Sequence, residues 1–269
     1  LLKYAVQHYI VEQHLPERGD HRITMLDVYL LGRVDFEALL SLQRRLVYEV
    51  SGRRERAALI LCEHDPLISV GRQGSRAQIH FDANELQLKR WPIRWVNRGG
   101  GCLLHAPGQL AVYPILPLER LDLDLPRYLD RLRSVVLDVV SDVGIKNAVA
   151  DPHGVAIGDR LVAHLGVAVR DWVSYFGAAL NINPDLDPFR RVSCGGASEP
   201  MTSLERERRL SVNPTMVQQR VVERFMERFE LPRVAVHHEH PALPATLPEV
   251  QKLPAAQSFV VLRSLLDPI

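Results

Sequence analysis

An α/β (α+β) fold, a mixed sheet flanked by helices, is what the order of apolar patterns along the chain predicts. Three observations carry it. Helical stripes occur in three separated places, short apolar runs and alternating stretches lie between them, and glycine or proline punctuates the joins. Residues 34–52 place Leu39, Leu42, Leu46 and Val50 on one helical face, with Asp35 set to cap the start. Ala57 to Cys62 reads as an apolar strand and Ile68 to Val70 as a short one. Leu110 to Ile115, after the Pro107-Gly108 turn, reads as a buried strand. The helical stripe returns over 127–143 at Leu129, Leu132, Val136, Val139 and Val143. Leu161 to Val173 is valine-rich and near alternation, which predicts two strands about Arg170-Asp171. Asn213-Pro214 is an N-cap with proline at the first helical position, and Val217, Val221, Phe225 and Phe229 follow at i, i+4.

Composition narrows the classes. The 269 residues are 46% hydrophobic and 24% charged, ordinary for a globular protein, and are expected to form one domain over 1–230. From Leu231 to the end (231–269) the sequence is punctuated by proline and lacks a period, so a solvated tail is expected there. A formal net charge of +1 argues against nucleic acid as the main partner. No apolar run approaches the roughly 20 residues that span a bilayer. The first residues lack a signal-peptide core, and three cysteines are too few and too odd for a disulfide framework, so a cytoplasmic setting is expected.

Four places carry candidate chemistry. Gly99, Gly100 and Gly101 let backbone approach a ligand where any side chain would block it. They lead through Cys102, Leu103 and Leu104 to His105, at the entry to the buried strand. Cys194 sits in Val-Ser-Cys-Gly-Gly-Ala-Ser, where small neighbours leave room for a carbonyl, whereas Cys62 lies in an apolar strand and reads as core. His237-His-Glu-His240 superficially suggests a metal, but spaced partner ligands are lacking; no metal and no cofactor are expected.

Asn97-Arg-Gly-Gly-Gly-Cys-Leu-Leu-His-Ala-Pro-Gly-Gln-Leu110 resembles the Arg-Gly-Gly-x-x-Thr-Tyr-His-Gly-Pro-Gly-Gln-Leu signature of the lipoyl (octanoyl) transferases, acyltransferases of lipoate biosynthesis related to lipoate and biotin protein ligases. Four further segments match in the family's order: Leu31 to Leu46; Glu63-His-Asp-Pro-Leu-Ile-Ser-Val-Gly-Arg72; Phe176-Gly-Ala-Ala-Leu-Asn-Ile-Asn-Pro-Asp-Leu186; and Ser193-Cys-Gly-Gly196 with Thr202-Ser-Leu204. The resemblance runs from about Leu31 to Phe229 and implies the lipoate/biotin protein ligase-like fold.

It also implies roles. Cys194, matching Pro-Cys-Gly with Ser193 for the proline, is the residue that takes octanoyl from acyl carrier protein as a thioester, which a lysine of a lipoyl domain then attacks. Acyl carrier protein and lipoyl-domain proteins are the implied partners. Arg98, Gly99, Gly100, Gly101, Cys102, Leu103, Leu104 and His105 belong to the implied substrate site, as do His164, Leu165, Gly166, Gly177, Ala178 and Ala179. His105 either holds the loop or touches the acyl carbonyl. Arg98 either binds a carboxylate or phosphate or makes a surface salt bridge.

The departures bear on the chemistry. The family's Lys-Ile-Ala-x-Ile-Gly, whose lysine transfers protons and lowers the cysteine pKa, is here Gly158-Asp-Arg-Leu-Val-Ala-His-Leu-Gly166. Counting from either end puts Leu161 or Arg160 at the lysine position, a difference that a bulge would absorb. His164 is a candidate replacement, but on a regular strand positions 161 and 164 face opposite ways. Leu103-Leu104 stand for Thr-Tyr and Ala106 for glycine, which predicts a more apolar pocket. Octanoyl transfer is the leading reading; a non-catalytic acyl-binding homologue and an ATP-dependent lipoate ligase are the alternatives.

Overall fold

Residues 23–53, 55–193 and 200–243 are described by the structure, a computed structural model. The elements run β1 (Met25–Arg33), α1 (Phe36–Gly52), β2 (Arg56–Glu63), β3 (Leu67–Val70), α2 (Ala83–Lys89), β4 (Ile93–Trp95), β5 (Cys102–His105) and β6 (Gln109–Ile115). There follow α3 (Leu125–Asp142), β7 (Ala148–Asp151), β8 (Gly154–Ile157), β9 (Arg160–Arg170), β10 (Val173–Asn181), α4 (Leu204–Arg208), α5 (Pro214–Phe229) and β11 (Val234–His237). Eight strands form one sheet in the order β11-β1-β2-β6-β10-β9-β8-β7; a smaller sheet has the order β4-β3-β5. β1 runs parallel to both β11 and β2, and every other neighbour in the large sheet is antiparallel. The mixed α/β sheet expected from the sequence is therefore present.

Both faces of the large sheet are covered, which is why its central strands read as continuous apolar runs. Along β2, Ala57, Leu59 and Leu61 enter the core beneath α3 and α5, while Ala58, Ile60 and Cys62 enter the one beneath α1. β6 divides likewise, Leu110 and Val112 to the first face and Ala111, Tyr113 and Ile115 to the second. The small sheet packs on the second face beside α1, around Ile68, Leu103, Leu104, Leu161 and Ala179. The expected caps are in place. Asp35 accepts from the Ala38 amide at 2.9 Å, and Asn213 accepts from Thr215 at 2.9 Å ahead of Pro214.

Three local irregularities shape the second face. First, β9 carries a bulge: Val155 pairs with Ala163 but Ala156 pairs with Leu161, leaving Val162 as the extra residue. The bulge reverses the expected alternation. Val162 and Ala163 both join the first core, and Leu161 turns to the same side as His164, which pairs with Ala179. Second, β9 and β10 join through Asp171-Trp172, both at positive φ (52° and 59°), the sign pattern of tight hairpin turns. Third, the β6–β10 ladder runs only from Val112–Ala178 to Gln109–Asn181. Pro114 offers no amide, and a Cβ on Gly177 would lie 2.6 Å from its ring and 2.1 Å from the Val112 carbonyl. Beside this gap Phe176 takes φ +56° and donates its amide to Gln43 Oε1 at 3.1 Å.

The solvated tail does not begin at Leu231. Val234–His237 is an edge strand paired with β1, and Val234 and Ala235 are buried. His237 Nε2 donates to Asp27 Oδ1 (3.2 Å) and its ring stacks on Tyr29, and His240 accepts from the Ala242 amide. Asp27 is held chiefly by Arg56, at 2.6 Å. These histidines serve packing and pairing on the strand. Among the described residues, no group of three or more His, Cys, Asp or Glu is placed to hold a metal. No described helix is long and apolar enough to cross a membrane.

Candidate functional site

The segments singled out in the sequence interlock around the end of β6. Glu63 at the end of β2 accepts from the Gly108 amide at 2.9 Å, fixing the Pro-Gly turn, where Gly108 has φ +83°. The Gly108 carbonyl accepts from Ile182 and Asn183 just beyond β10. Gln109 donates to the Leu104 carbonyl (3.2 Å) and to Asn181 Oδ1 (2.9 Å), and Asn181 donates to the Thr202 carbonyl (2.9 Å). Each of these buried amides replaces a lost water partner with a protein one.

Above that network lies a narrow cavity between β10, β9 and the small sheet. Arg98, Leu103, His105, His164 and Gly166 line it, as do Gly177, Ala178 and Ala179 of β10. Ser69, Tyr113 and Phe176 complete it; these were not singled out from sequence as site residues, although all three lie in or beside the matched segments. The cavity measures about 10 Å³, room for one water. An acyl chain would enter only if side chains part, and Leu103 is the large lining side chain with neither a polar tether nor an aromatic neighbour bracing it.

One wall is polar and built from buried groups. Arg98 is 3% exposed and donates to the Ser69 carbonyl (2.9 Å), to Ser69 Oγ (2.8 Å) and to the Gly99 carbonyl (2.9 Å). That burial overturns the surface salt bridge considered for it. Ser69 Oγ accepts from Arg98 and is hydrogen-bonded to His105 Nε2 at 2.9 Å. His105 therefore contacts a side chain rather than holding the loop through backbone, and its Nδ1 has no partner among the described residues. Behind it, His64 Nδ1 donates to the Val34 carbonyl at 2.8 Å and Nε2 accepts from the Tyr113 hydroxyl at 3.2 Å. The His64 and His105 rings meet edge to face at 5.5 Å. His164 is 1% exposed, and neither ring nitrogen has a partner among the described residues.

Burial decides the charge of these rings. Desolvation lowers His64 to about 4, and desolvation with the Arg98 charge lowers His164 to about 3. His105 is held well below the usual histidine value by burial, then by His64, Arg98 and His164. All three are neutral at physiological pH, and Arg98 is the cation of the wall.

The glycine loop stands one layer back. Gly99 donates to the Val167 carbonyl at 2.8 Å, and the Gly100 and Gly101 carbonyls accept from Gln73 and Gly71. A Cβ on Gly100, whose φ is +79°, would come within 3.0 Å of His164 Cε1. Only a residue without a side chain suits both demands. Gly99, Gly100 and Gly101 thus pack the loop on β9 rather than form the cavity floor. Leu104 and Cys102 face away from the cavity wall; Cys102 Sγ donates to the Ser75 carbonyl at 3.3 Å. Leu165 and the Ala178 side chain belong to the first core, so Ala179 is the alanine on the His164 face.

Burial raises the thiols of Cys62 and Cys102, Cys62 the more strongly, which removes both as nucleophiles near neutral pH. Cys194 lies outside the described residues. The residues on either side of that segment are placed: the Ser193 amide donates to the Gln78 carbonyl, and Met201 bridges to Leu161. Val192 and Met201 pack in one cluster with Leu103, Leu161 and Ala179. Arg160 is turned elsewhere, its guanidinium held by Glu207 at 3.0 Å. Of the two residues considered for the lysine position, Leu161 lies on the His164 side of β9.

Comparison with known proteins identifies the family. The model of the lipoyl protein ligase A/B catalytic domain matches residues 35–226. The octanoyltransferase of Geotalea uraniireducens (strain Rf4) is 38% identical over 203 residues, spanning 74% of this chain and 91% of that protein. The chain belongs to the octanoyltransferase family. A second family member, the octanoyltransferase of Citrifermentans bemidjiense, is 40% identical over 179 residues, 66% of this chain and 84% of its own. Among solved structures, P. falciparum LipL1 in complex with lipoate superposes with a TM-score of 0.64 at 11% identity, covering 79% of this chain and 66% of that one. The bi-partite lipoate protein ligase of Thermoplasma acidophilum gives 0.61 at 16% identity, covering 80% and 87%. At those identities the likeness establishes the lipoate-ligase fold alone.

Proposed function

We propose that the protein moves an octanoyl group from acyl carrier protein to a lysine of a lipoyl domain through a thioester on Cys194. The observation that carries this reading is the division of the cavity. A buried arginine, serine and two neutral histidines form one wall, and Leu103, Phe176 and small β10 residues form the rest. A carbonyl with an apolar chain has that same polarity, and each buried methylene contributes roughly 0.8 kcal/mol. Family membership supports Cys194 as the residue that carries the acyl group.

In the first step the Cys194 thiolate attacks the octanoyl thioester carbonyl, the bond to the phosphopantetheine sulfur breaks, and the departing thiolate takes a proton. In the second, a neutral lysine amine attacks the Cys194 thioester, an amide forms, and the cysteine thiolate leaves as the amine gives up a proton. The Arg98 charge would favour the oxygen on which negative charge develops. With apolar Leu161 on the His164 side of β9 and His105 and His164 weak bases, nothing described there supplies an ammonium able to give up a proton, and Arg98 is the cation that favours a thiolate.

The test is transfer without ATP. Octanoyl-acyl carrier protein, a lipoyl domain and this protein should yield octanoylated lipoyl domain by mass, and Cys194→Ala should abolish it. Octanoylation that requires ATP and free octanoate would replace this reading with that of a ligase.

A further inference from the structure

Phe176 borders two spaces at once, the closed cavity and a surface groove of about 470 Å³ on its other side. Leu40 and Val47 of α1, Val96 and Tyr175 give it apolar surface, and Gln43 and the charged Arg44, Arg170 and Asp171 also line it. Resting on the acyl-transfer reading above, we propose that Phe176 is the stop that sets acyl-chain length, and that the groove behind it is the space a longer chain would occupy.

Position is the first support. His164 pairs with Ala179 at one end of the β10 segment lining the cavity, and Phe176 pairs with Val167 at the other. Leu161 and Met201 meet at the His164 end. A chain whose carbonyl sits there runs along three residues of β10, about 10 Å at the strand rise, of the order of a medium alkyl chain, before it meets the Phe176 ring. The ring is braced by Tyr113 edge to face at 6.2 Å and by Tyr175 at 5.4 Å.

Backbone strain is the second support. A bulky residue at φ +56° is disfavoured and persists only where its surroundings hold it. The Gln43 side chain, 1% exposed, does so by accepting the Phe176 amide, while its own Nε2 has no partner among the described residues. Glycine would suit that backbone without cost, so an aromatic residue there is explained by the wall its ring makes.

The test is a competition among octanoyl-, dodecanoyl- and hexadecanoyl-acyl carrier proteins, read as the masses of the acyl-enzyme. The natural protein should carry octanoyl and little dodecanoyl. Phe176→Gly and Phe176→Leu should raise the dodecanoyl share at least tenfold, and adding Val47→Phe from the groove side should reverse the gain. Folded variants with an unchanged profile would overturn the proposal, as would a natural protein that uses dodecanoyl and octanoyl equally. If both variants fail to fold, the natural profile decides: a sharp fall beyond octanoyl supports the stop, and a level one removes it. A natural protein that takes up no acyl group at all would refute the acyl-transfer reading instead, a separate outcome of the same experiment.

Discussion

The two faces of the large sheet are made from the same strands and treat polar groups in opposite ways. Beneath α3 and α5 the core is almost entirely hydrocarbon, from Leu26 and Leu59 through Val139 and Phe225. Its ion pairs, Arg224–Asp142 and Arg228–Asp138, lie at the helix surface. Beneath α1 and the small sheet the chain buries His64, Ser69, Arg98, His105 and His164. His105 and His164 keep ring nitrogens without partners among the described residues. Burying such atoms unpaired costs free energy; beneath α3 and α5 the Tyr128 hydroxyl also lacks a partner, but among the described residues no histidine is buried there. The contrast teaches where to look: one face maintains the fold, and the other carries polar groups in excess of what folding needs, where binding or chemistry could use them.

The largest effect that would sharpen the contrast is the response to acid. His64 and His164 have folded pKa values near 4 and 3, below the unfolded value of about 6.5. A lowered pKa means that the unfolded chain binds the proton first. Stability is therefore intact above about pH 6.5 and falls as pH drops from there toward the folded values. From pH 7 to 5 each of these two histidines should cost about 2 kcal/mol, read as a fall in the urea midpoint. The other face should stay silent in that window. Asp142, lowered chiefly by its hydrogen bond to Arg224, loses its contribution only as pH falls below the usual carboxylate value of about 3.9. A urea midpoint flat between pH 7 and 5 would break the comparison.

Next comes the missing ammonium. Leu161→Lys adds a cation on the face shared with His164, and transfer at neutral pH should rise about tenfold, the equivalent of about 1.4 kcal/mol. Natural-protein transfer should itself rise above pH 8 as the thiolate forms. Arg160→Lys should do less, because that side chain is engaged by Glu207. A larger gain from position 160 than from 161 would mean that the β9 bulge does not set the facing described.

Much of this was legible in the sequence, and the reasons differ by element. α1, α3 and α5 announce themselves through periodic apolar residues and Asp or Asn caps, which are local signals. β11 does not, since four residues pairing with β1 some 200 positions away leave no local period. The β9 bulge was foreseen as a possible extra residue, but its consequence, Leu161 and His164 on one side, needed the pairing with β8. Family resemblance drew attention to His105 and His164; Ser69 lay in the matched segment Glu63 to Arg72, but its contacts with Arg98 and His105 come from residues 29 and 36 positions away and leave no local signal. Gly99 to Gly101 were legible as a close approach, but what they approach is β9 backbone and the His164 ring. Phe176 sits where Pro114 of neighbouring β6 meets Gly177 of its own strand, and its amide is taken by Gln43 of α1, partners distant in sequence that no local reading supplies.

The most direct measurement is the site of acylation. The natural protein, incubated with octanoyl-acyl carrier protein and digested, should carry a hydroxylamine-labile octanoyl group on the Cys194 peptide and none on Cys62 or Cys102, whose thiols burial suppresses. An adduct on either buried cysteine, or transfer that persists unchanged in Cys194→Ala, would contradict it.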